Sequence, residues 1–224
     1  MIEAKDVCLT YLDGTRALEG IDLKIEPGEL VYMTGPSGSG KTSLLKLLMG
    51  VEYPTAGSLQ VLGQSIERAQ TAKIRKMRMR VGPVFQEFKL IKGRTAMENV
   101  MLGMRFLGFP IGQIRKNASE ALERVGLEHK SFSLVENLSW GETQRVAIAR
   151  AVARKPELIL ADEPTGNLDT SNALNILELL TSLTDKKTAI VITTHATHLI
   201  DSSAEGKLIQ MEAGRIRWER LGRA

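Results

Sequence analysis

Cysteine is almost absent from this sequence of 224 residues. Cys8 is the only one, so an intramolecular disulfide is excluded and a reducing compartment is expected. Long apolar runs are also missing, since no stretch approaches the roughly 18 residues that a spanning helix needs. The first residues lack the basic and then apolar layout of a signal peptide. We therefore expect a cytosolic chain that reaches a membrane only through a partner.

The sequence also lacks low-complexity tracts and internal repeats, and its 43% hydrophobic and 25% charged residues are typical of a globular protein. A chain of this length can bury one core or divide into a large and a small subdomain. The net charge of +4 suits an anionic ligand or a membrane surface without requiring nucleic acid. The densest positive run, residues 73–80, contains no aromatic residue for base stacking, so we interpret it as a solvated helix face.

A glycine-rich octapeptide is the strongest pattern that the sequence contains. It matches G-x-x-x-x-G-K-[ST] at every fixed position and consists of Gly35, Pro36, Ser37, Gly38, Ser39, Gly40, Lys41 and Thr42. Glycines let successive backbone N–H groups turn towards an anionic phosphate. In such a loop the lysine places its ammonium on the β- and γ-phosphates, and the threonine hydroxyl coordinates Mg²⁺. The pattern therefore predicts a nucleoside triphosphate site that contains Mg²⁺.

The surroundings of this loop support the same prediction. Residues 29–34 are rich in strand-forming residues, and residues 43–49, which begin with Ser43, have the composition of a helix. A triphosphate bound between a strand and a helix meets the positive end of the helix dipole. We therefore include Ser43 with the octapeptide in the predicted nucleotide contacts.

The rest of the chain predicts an α/β core with a helical insertion. Alternating apolar residues predict strands at 2–10, 18–26, 58–62, 81–85, 207–211 and 214–218. We assign residues 1–86 and 156–224 to the core and residues 87–155, whose apolar residues recur at helical spacing, to an inserted helical subdomain. Its predicted buried stripe consists of Met97, Val100, Met101, Met104, Ile111, Ile114, Ala118, Ala121, Leu122 and Val125.

Two continuous apolar runs end on residues that suit chemistry at the edge of a sheet. Residues 158–162 end with Asp162 and are followed by Glu163, and residues 189–194 are followed by His195. A helix predicted over 172–183 makes these runs a β–α–β crossover with parallel strands. A nucleotide site needs one acid that holds Mg²⁺ and another that polarises the attacking water. The adjacent acids are therefore candidates for these two roles.

A second candidate anion site begins at Ser139. Ser139 followed three residues later by Glu142 predicts a capping box at the start of a helix. The capping role explains the pattern by itself, and the alternative is that this helix N-terminus also binds an anion. Tyr11, at the end of the first strand, has two interpretations as well. It is either ordinary strand packing or a ring that stacks on a nucleobase.

The order of these motifs resembles the nucleotide-binding domain of ABC-type ATPases from about residue 2 to residue 218. The octapeptide is similar to Walker A, Gln86 to the Q-loop and residues 138–142 to the signature motif. The further correspondences are residues 158–163 with Walker B, Gly166-Asn167-Leu168-Asp169 with the D-loop, His195 with the switch histidine and Tyr11 with the adenine-stacking aromatic. The resemblance implies a P-loop NTPase core with a mixed sheet, an antiparallel β subdomain and a helical subdomain.

The resemblance also implies a mechanism in which two subunits form a head-to-tail dimer around two ATP molecules. Each ATP lies between Walker A of one subunit and Ser139, Gly141 and Glu142 of the other. Glu163 acts as the general base, His195 contacts the γ-phosphate, and Asp162 supports Mg²⁺. Gln86 contacts the metal site and links it to a permease-like integral membrane partner that docks near residues 87–104. This arrangement places the chain on the cytoplasmic face of the cell membrane and predicts no nucleic-acid partner.

One position departs from the family pattern. Trp140 lies where the family usually has glycine in its signature motif. Ser139 and Gly141 remain, so the contacts to phosphate across the dimer are retained, but an indole can crowd the loop. We therefore expect slower hydrolysis than in typical members.

Within the family, four stretches are most similar to the cell-division members, which act with a membrane protein to control cell-wall hydrolases: residues 28–32, 44–47, 84–90 and 161–169. Lipoprotein-releasing and efflux members are the alternative, because their sequences are similar in much of these stretches. ABC proteins that act on nucleic acid or ribosomes usually carry two cassettes or a long coiled-coil insertion, and this sequence has one cassette. An unrelated kinase or GTPase leaves residues 138–142 and His195 unexplained, and the sequence has no guanine-reading Asn-Lys-x-Asp.

Overall fold

The computed structural model of this protein describes residues 1–166, 168–197, 200 and 206–221. Within these residues the elements are β1 (Ile2–Thr10), β2 (Arg16–Ile25), β3 (Leu30–Thr34), α1 (Lys41–Leu48), β4 (Ala56–Val61), β5 (Gln64–Ser65), α2 (Thr71–Met79), β6 (Val81–Val84), α3 (Ala96–Arg105), α4 (Ile111–Arg124), α5 (Trp140–Val152), β7 (Leu158–Asp162), α6 (Thr170–Thr181), β8 (Ala189–Thr194), β9 (Lys207–Glu212) and β10 (Arg215–Leu221). None of the helices in this part of the chain has both the length and the hydropathy needed to cross a membrane.

The strands form two sheets. The smaller sheet is antiparallel and has the order β2-β1-β4-β5, and the larger sheet has the order β10-β9-β3-β8-β7-β6. In the larger sheet β6, β7, β8, β3 and β9 are parallel to one another, and β10 pairs antiparallel with β9. The expected α/β fold with a mixed sheet and an additional antiparallel sheet is therefore confirmed.

The central strands of the large sheet are continuously apolar because both of their faces are buried. Along β8, Ile190 and Ile192 belong to a core cluster shared with α3, α4, α5 and α6. Ala189 and Val191 belong to a second cluster, shared with α1, α2 and the antiparallel sheet. With both faces occupied, the exposed part of these strands is their carboxyl end, where a ligand can approach.

The helices α3, α4 and α5 pack against one another and share their buried cluster with one face of the large sheet. Met97, Val100 and Met104 are buried as predicted. The prediction for Ile111 is wrong, since its side chain is 89% exposed. Ile111 is the first residue of α4, after Pro110, and no preceding turn of helix covers it. A boundary of the helical subdomain at residues 87 and 155 remains our proposal.

The basic run lies mainly on α2, and the interpretation as a solvated helix face is confirmed. Ile74 and Met77 point into the core, while the lysines of the run are exposed. The last two arginines have structural partners. Arg78 donates to the carbonyls that end α1, with a bond of 3.1 Å to Met49, and Arg80 makes a bidentate pair with Glu157 at 2.6 Å for each bond.

Candidate nucleotide site

The glycine-rich loop connects β3 to α1 and approaches other backbone segments too closely for a side chain. A Cβ atom at Gly35 would lie 2.2 Å from the Met211 carbonyl oxygen, and one at Gly40 would lie 2.7 Å from that of Ala17. Gly40, with φ +101°, precedes α1. In the part of the chain that the structure describes, no side chain caps α1 and its first turn contains no acidic residue. The N–H groups of this turn are therefore available to an anion.

Lys41 holds its ammonium over this loop. Its side chain is only 5% exposed, and Nζ donates to the carbonyl oxygens of Gly35 at 2.8 Å and Pro36 at 3.0 Å. Nζ also lies 3.7 Å from Glu163 Oε1. The two carbonyl oxygens and the carboxylate thus hold the Lys41 side chain at the place where a phosphate would bind.

Thr42 and Asp162 form the oxygen pair predicted for the metal. The Thr42 hydroxyl donates to Asp162 Oδ1 at 3.1 Å, and the hydroxyl of Thr193 donates to the same oxygen at 2.8 Å. Asp162 ends β7 and pairs directly with Thr193 on β8, so the register of the two strands brings these groups together. Hydroxyl and carboxylate oxygens are the donors that Mg²⁺ prefers.

Glu163 and His195 meet at the carboxyl ends of β7 and β8. His195 Nδ1 is hydrogen bonded to Glu163 Oε2. The Glu163 backbone has a left-handed φ of +46°, and its N–H donates to the Thr193 hydroxyl at 3.0 Å. A non-glycine residue rarely adopts this conformation, so the surrounding bonds hold the carboxylate in its direction.

These groups surround one cleft of about 540 Å³. Its lining residues are Tyr11, Thr15, Arg16, Ala17, Ser37, Gly38, Ser39, Gly40, Lys41, Thr42, Ser43, Gln86, Glu163 and His195. Tyr11 lies at one end, with its hydroxyl 3.1 Å from the Ser43 hydroxyl and its ring 5.8 Å from Lys46 Nζ. The structure therefore brings Tyr11, Gln86 and the phosphate loop, which are distant in sequence, into one concavity.

Ser139, Gly141 and Glu142 lie on α5 and are not lining residues of this cleft. The capping box is confirmed: Glu142 N–H donates to Ser139 Oγ at 3.2 Å, and Ser139 N–H donates to Glu142 Oε2 at 2.8 Å. The Ser139 N–H holds the pKa of the Glu142 carboxyl below its ordinary value. The N-terminus of α5 is thus ordered by its own capping box.

Asp169 caps α6 next to the start of α5. Its carboxylate accepts the N–H of Asn172 at 3.0 Å, and a Cβ atom at Gly141 would lie 3.3 Å from Asn172 Oδ1. The predicted D-loop and signature segments therefore lie side by side. Asn167, which belongs to the D-loop pattern, lies outside the described residues.

The cleft fits ATP and Mg²⁺ by the chemistry of its groups. Ser39 Oγ is buried without a hydrogen-bond partner among the described residues. Such an orphaned hydroxyl in a phosphate loop is satisfied when an anion occupies the loop. The oxygens of Thr42 and Asp162 would be two hard ligands for the metal, and the amide oxygen of Gln86, which lines the same cleft, would be a third.

Comparison with known proteins decides the family. The ABC transporter family pattern matches residues 18–166 of this chain. The chain belongs to the ABC transporter family. It is the ATP-binding and ATP-hydrolysing subunit of a transporter-like complex. The expected resemblance to ABC-type ATPases is confirmed.

The chain is similar over nearly its whole length to cell-division proteins. It is 37% identical over 214 residues to the cell division ATP-binding protein FtsE of Bacillus subtilis (strain 168), a match that covers 96% of this chain and 93% of the relative. It is 40% identical over 200 residues to FtsE of Escherichia coli (strain K12), covering 89% of this chain and 90% of the relative. The expected similarity to the cell-division members is thus confirmed.

The fold is also that of solved cassettes. A structure of the ATP-binding cassette MJ0796, described as a dimeric post-hydrolysis state bound to ADP and Pi, has a TM-score of 0.88 and 34% identity and covers 100% of both chains. A second dimeric structure of MJ0796, described as a bacterial ABC transporter cassette, has a TM-score of 0.87 and 36% identity, again over 100% of both chains.

Sequence reasoning missed four residues of the site. Thr15, Arg16 and Ala17 line the cleft beside Tyr11 because the β1–β2 hairpin folds over the loop. Thr193 holds both acids of the β7 end. The signal for Thr193 was available, since a polar residue two positions before His195 at the end of an apolar run lies at the functional edge of the sheet.

Proposed function

We propose that this chain hydrolyses ATP as a homodimer that closes around two ATP molecules and drives an integral membrane partner of the FtsX type in cell division. The observation that carries the proposal is the convergence of Lys41, Thr42, Glu163 and His195 on one cleft, with Asp162 hydrogen bonded to Thr42 beside it. This set supplies a phosphate cation, metal ligands, a general base and a group that orients the base.

The roles follow from the positions of the side chains. Lys41 exchanges its carbonyl partners for phosphate oxygens when ATP enters. Glu163 accepts the proton of the attacking water, because its carboxylate is only 14% exposed and is oriented by His195. Mg²⁺, when bound, neutralises charge on the phosphates, and Thr42 and Asp162, with Gln86, are the residues that would hold it. Tyr11 offers its ring to the adenine.

The cleft is half of a site. Its lining residues do not include Ser139 or Gly141, which lie at the N-terminus of α5. A second copy placed head to tail would bring Ser139 and Gly141 over the phosphates. MJ0796 has been solved as a dimer, which supports a dimer of this chain as well.

The membrane partner is proposed to dock near residues 87–104. Gln86 lines the cleft, and the segment that follows it is exposed at Glu87, Lys89 and Ile91. A partner bound there would contact the residues that directly follow Gln86, which lines the nucleotide cleft. This placement would put the subunit on the cytoplasmic face of the cell membrane, held there by its partner.

The variant Glu163→Gln tests the hydrolytic role. Removing a general base lowers turnover by about 100-fold or more, while binding of ATP is retained and a dimer accumulates with MgATP. Turnover is measured by phosphate release and the dimer by analytical ultracentrifugation. Glu157→Gln is the matched control, since Glu157 pairs with Arg80 outside the cleft. Equal turnover in Glu163→Gln and the control would remove Glu163 from its role.

The partner is tested by purification from membranes of the source cells through a tag on the Glu163→Gln variant. Recovery of an FtsX-like protein that depends on MgATP or on residues 87–104 supports the cell-division assignment. Recovery of a lipoprotein-releasing or efflux permease instead would assign the chain to the LolD or MacB type.

A further inference from the structure

An aromatic contact joins two segments of the nucleotide machinery within one subunit. The rings of Trp140 and Phe88 are edge to face, with centroids 4.9 Å apart and an interplanar angle of 64°. Trp140 is the first residue of α5, and Phe88 follows Gln86 by two positions. We call this pair the aromatic clasp. It connects the segment that covers a phosphate in the second subunit with the segment that contacts the nucleotide in its own subunit.

The same helix holds the Phe88 segment at a second point. Arg150, in the last turn of α5, donates to the carbonyl oxygens of Phe88 and Lys89. Phe88 and Lys89 both have left-handed backbones, with φ of +56° and +53°. Since side-chain-bearing residues rarely adopt this conformation, these bonds maintain it. The segment after Gln86 is therefore attached to both ends of α5.

The two attachments differ in strength. Arg150 is partly buried, and a Cβ atom at Gly103 would lie 3.2 Å from its Cγ. Desolvation lowers the pKa of its guanidinium to about 10, so it stays charged at pH 7. The Trp140 side chain is 56% exposed and is held at the surface by the edge of one ring. The attachment at the N-terminus of α5 is thus the more exposed of the two, and it lies next to Ser139 and Gly141.

We propose that Trp140 is a positioning residue that, through Phe88, sets the orientation of Ser139 and Gly141 according to the position of Gln86. The bulky residue in the signature motif is then a mechanical link, and glycine at that position could not make it. The proposal rests on the proposed function, because it needs a second subunit whose ATP the Ser139 segment covers.

A mutant cycle on the full chain tests this link. Trp140→Leu, Phe88→Leu and the double variant are compared for kcat and KM with MgATP and for affinity towards a fluorescent ADP analogue. We expect each single variant to lower kcat about three- to tenfold, the range that one aromatic edge contact supports. KM and ADP affinity stay within about twofold, because the cleft of the same subunit is untouched. The double variant is no slower than the slower single variant.

Conservative rescue and fluorescence separate positioning from simple loss of structure. Trp140→Phe keeps a ring edge and is expected to retain kcat within about twofold. The chain has two tryptophans, so Trp218→Phe leaves Trp140 as the sole tryptophan, whose emission is excited selectively at wavelengths that tyrosine does not absorb. In that background Phe88→Leu is expected to shift the Trp140 emission and to abolish its response to MgATP in the Glu163→Gln protein. All variants are first checked for an unchanged thermal unfolding midpoint within a few degrees.

Two results would overturn the clasp: multiplicative losses in the double variant, or a Trp140 emission that does not respond to Phe88→Leu. A failure of the proposed function looks different. In that case the unmodified chain shows no ATP hydrolysis, while the emission of Trp140 still reports whether Phe88 contacts it.

Discussion

Thr193 and Asp162 lie opposite each other on β8 and β7, and the Thr193 hydroxyl donates to Asp162 Oδ1 at 2.8 Å. The same hydroxyl accepts the N–H of Glu163 at 3.0 Å. One buried side chain thus holds the predicted metal ligand and the predicted general base at a fixed spacing. Because hydrogen bonds to charged groups are stronger than neutral ones, this threonine contributes to the geometry of both acids.

Thr193→Val is expected to change the Mg²⁺ dependence of hydrolysis more than the free energy of unfolding. Valine keeps the shape but removes the donor to Asp162, so the Mg²⁺ concentration for half-maximal hydrolysis rises and kcat/KM for ATP falls, each by about tenfold. Both are measured by phosphate release across a Mg²⁺ titration. Thr34→Val is the matched control, since Thr34 is also buried but donates to the carbonyl of Ile209. Equal Mg²⁺ dependence in the two variants would contradict the assigned role.

Gly40→Ala and Gly38→Ala form a pair that separates backbone strain from steric contact. Both glycines have positive φ, but a Cβ atom at Gly38 meets nothing within 4 Å, and one at Gly40 would lie 2.7 Å from the Ala17 carbonyl oxygen. We expect Gly38→Ala to lower the free energy of unfolding by about 1 kcal/mol and Gly40→Ala by about 3 kcal/mol. Urea unfolding measures both, and similar losses would mean that the loop moves away from Ala17 at little cost.

Asp169→Asn tests the pH dependence of the α6 cap. The N–H of Asn172 lowers the pKa of Asp169 below its ordinary value of 3.8 in the folded state. The charged cap therefore stabilises the fold above the pKa of the unfolded chain, and this stabilisation is lost as the pH falls through the lower, folded pKa. Asparagine caps without titrating.

The expected result is that the difference in urea midpoint between the unmodified chain and Asp169→Asn is constant above about pH 5. It narrows as the pH falls through the unfolded pKa and on through the folded pKa, which lies below 3.8. Circular dichroism at matched ionic strength follows the midpoints. If the urea midpoints of the two proteins changed in parallel with pH, the Asp169 carboxylate would have the same pKa in the folded and the unfolded chain.

Much of the fold followed from local patterns. The strands at 158–162 and 189–194 were predicted at their observed bounds because strands buried on both faces leave continuous apolar runs. The error at Ile111 has the opposite cause. Helical spacing predicts which residues share a face, but burial at a helix terminus depends on what lies beyond it, and beyond α4 lies the Pro110 loop.

The nucleotide loop is the feature that the sequence determined by itself. The octapeptide contains its own phosphate contacts, because backbone N–H groups, Lys41 and Thr42 lie within a few residues of one another. The order of the other motifs then identified the family without any coordinates.

Tertiary structure alone decided how separate segments meet. Strand register placed Thr193 against Asp162 and Glu163. Helix packing placed the Trp140 ring against the Phe88 ring and brought Arg150 to the carbonyl oxygens of Phe88 and Lys89. Contacts between segments far apart in sequence depend on register and on the rotation of packed helices, and these are set by the whole core. Local periodicity states only that a face is buried, whereas the fold determines which partner it meets.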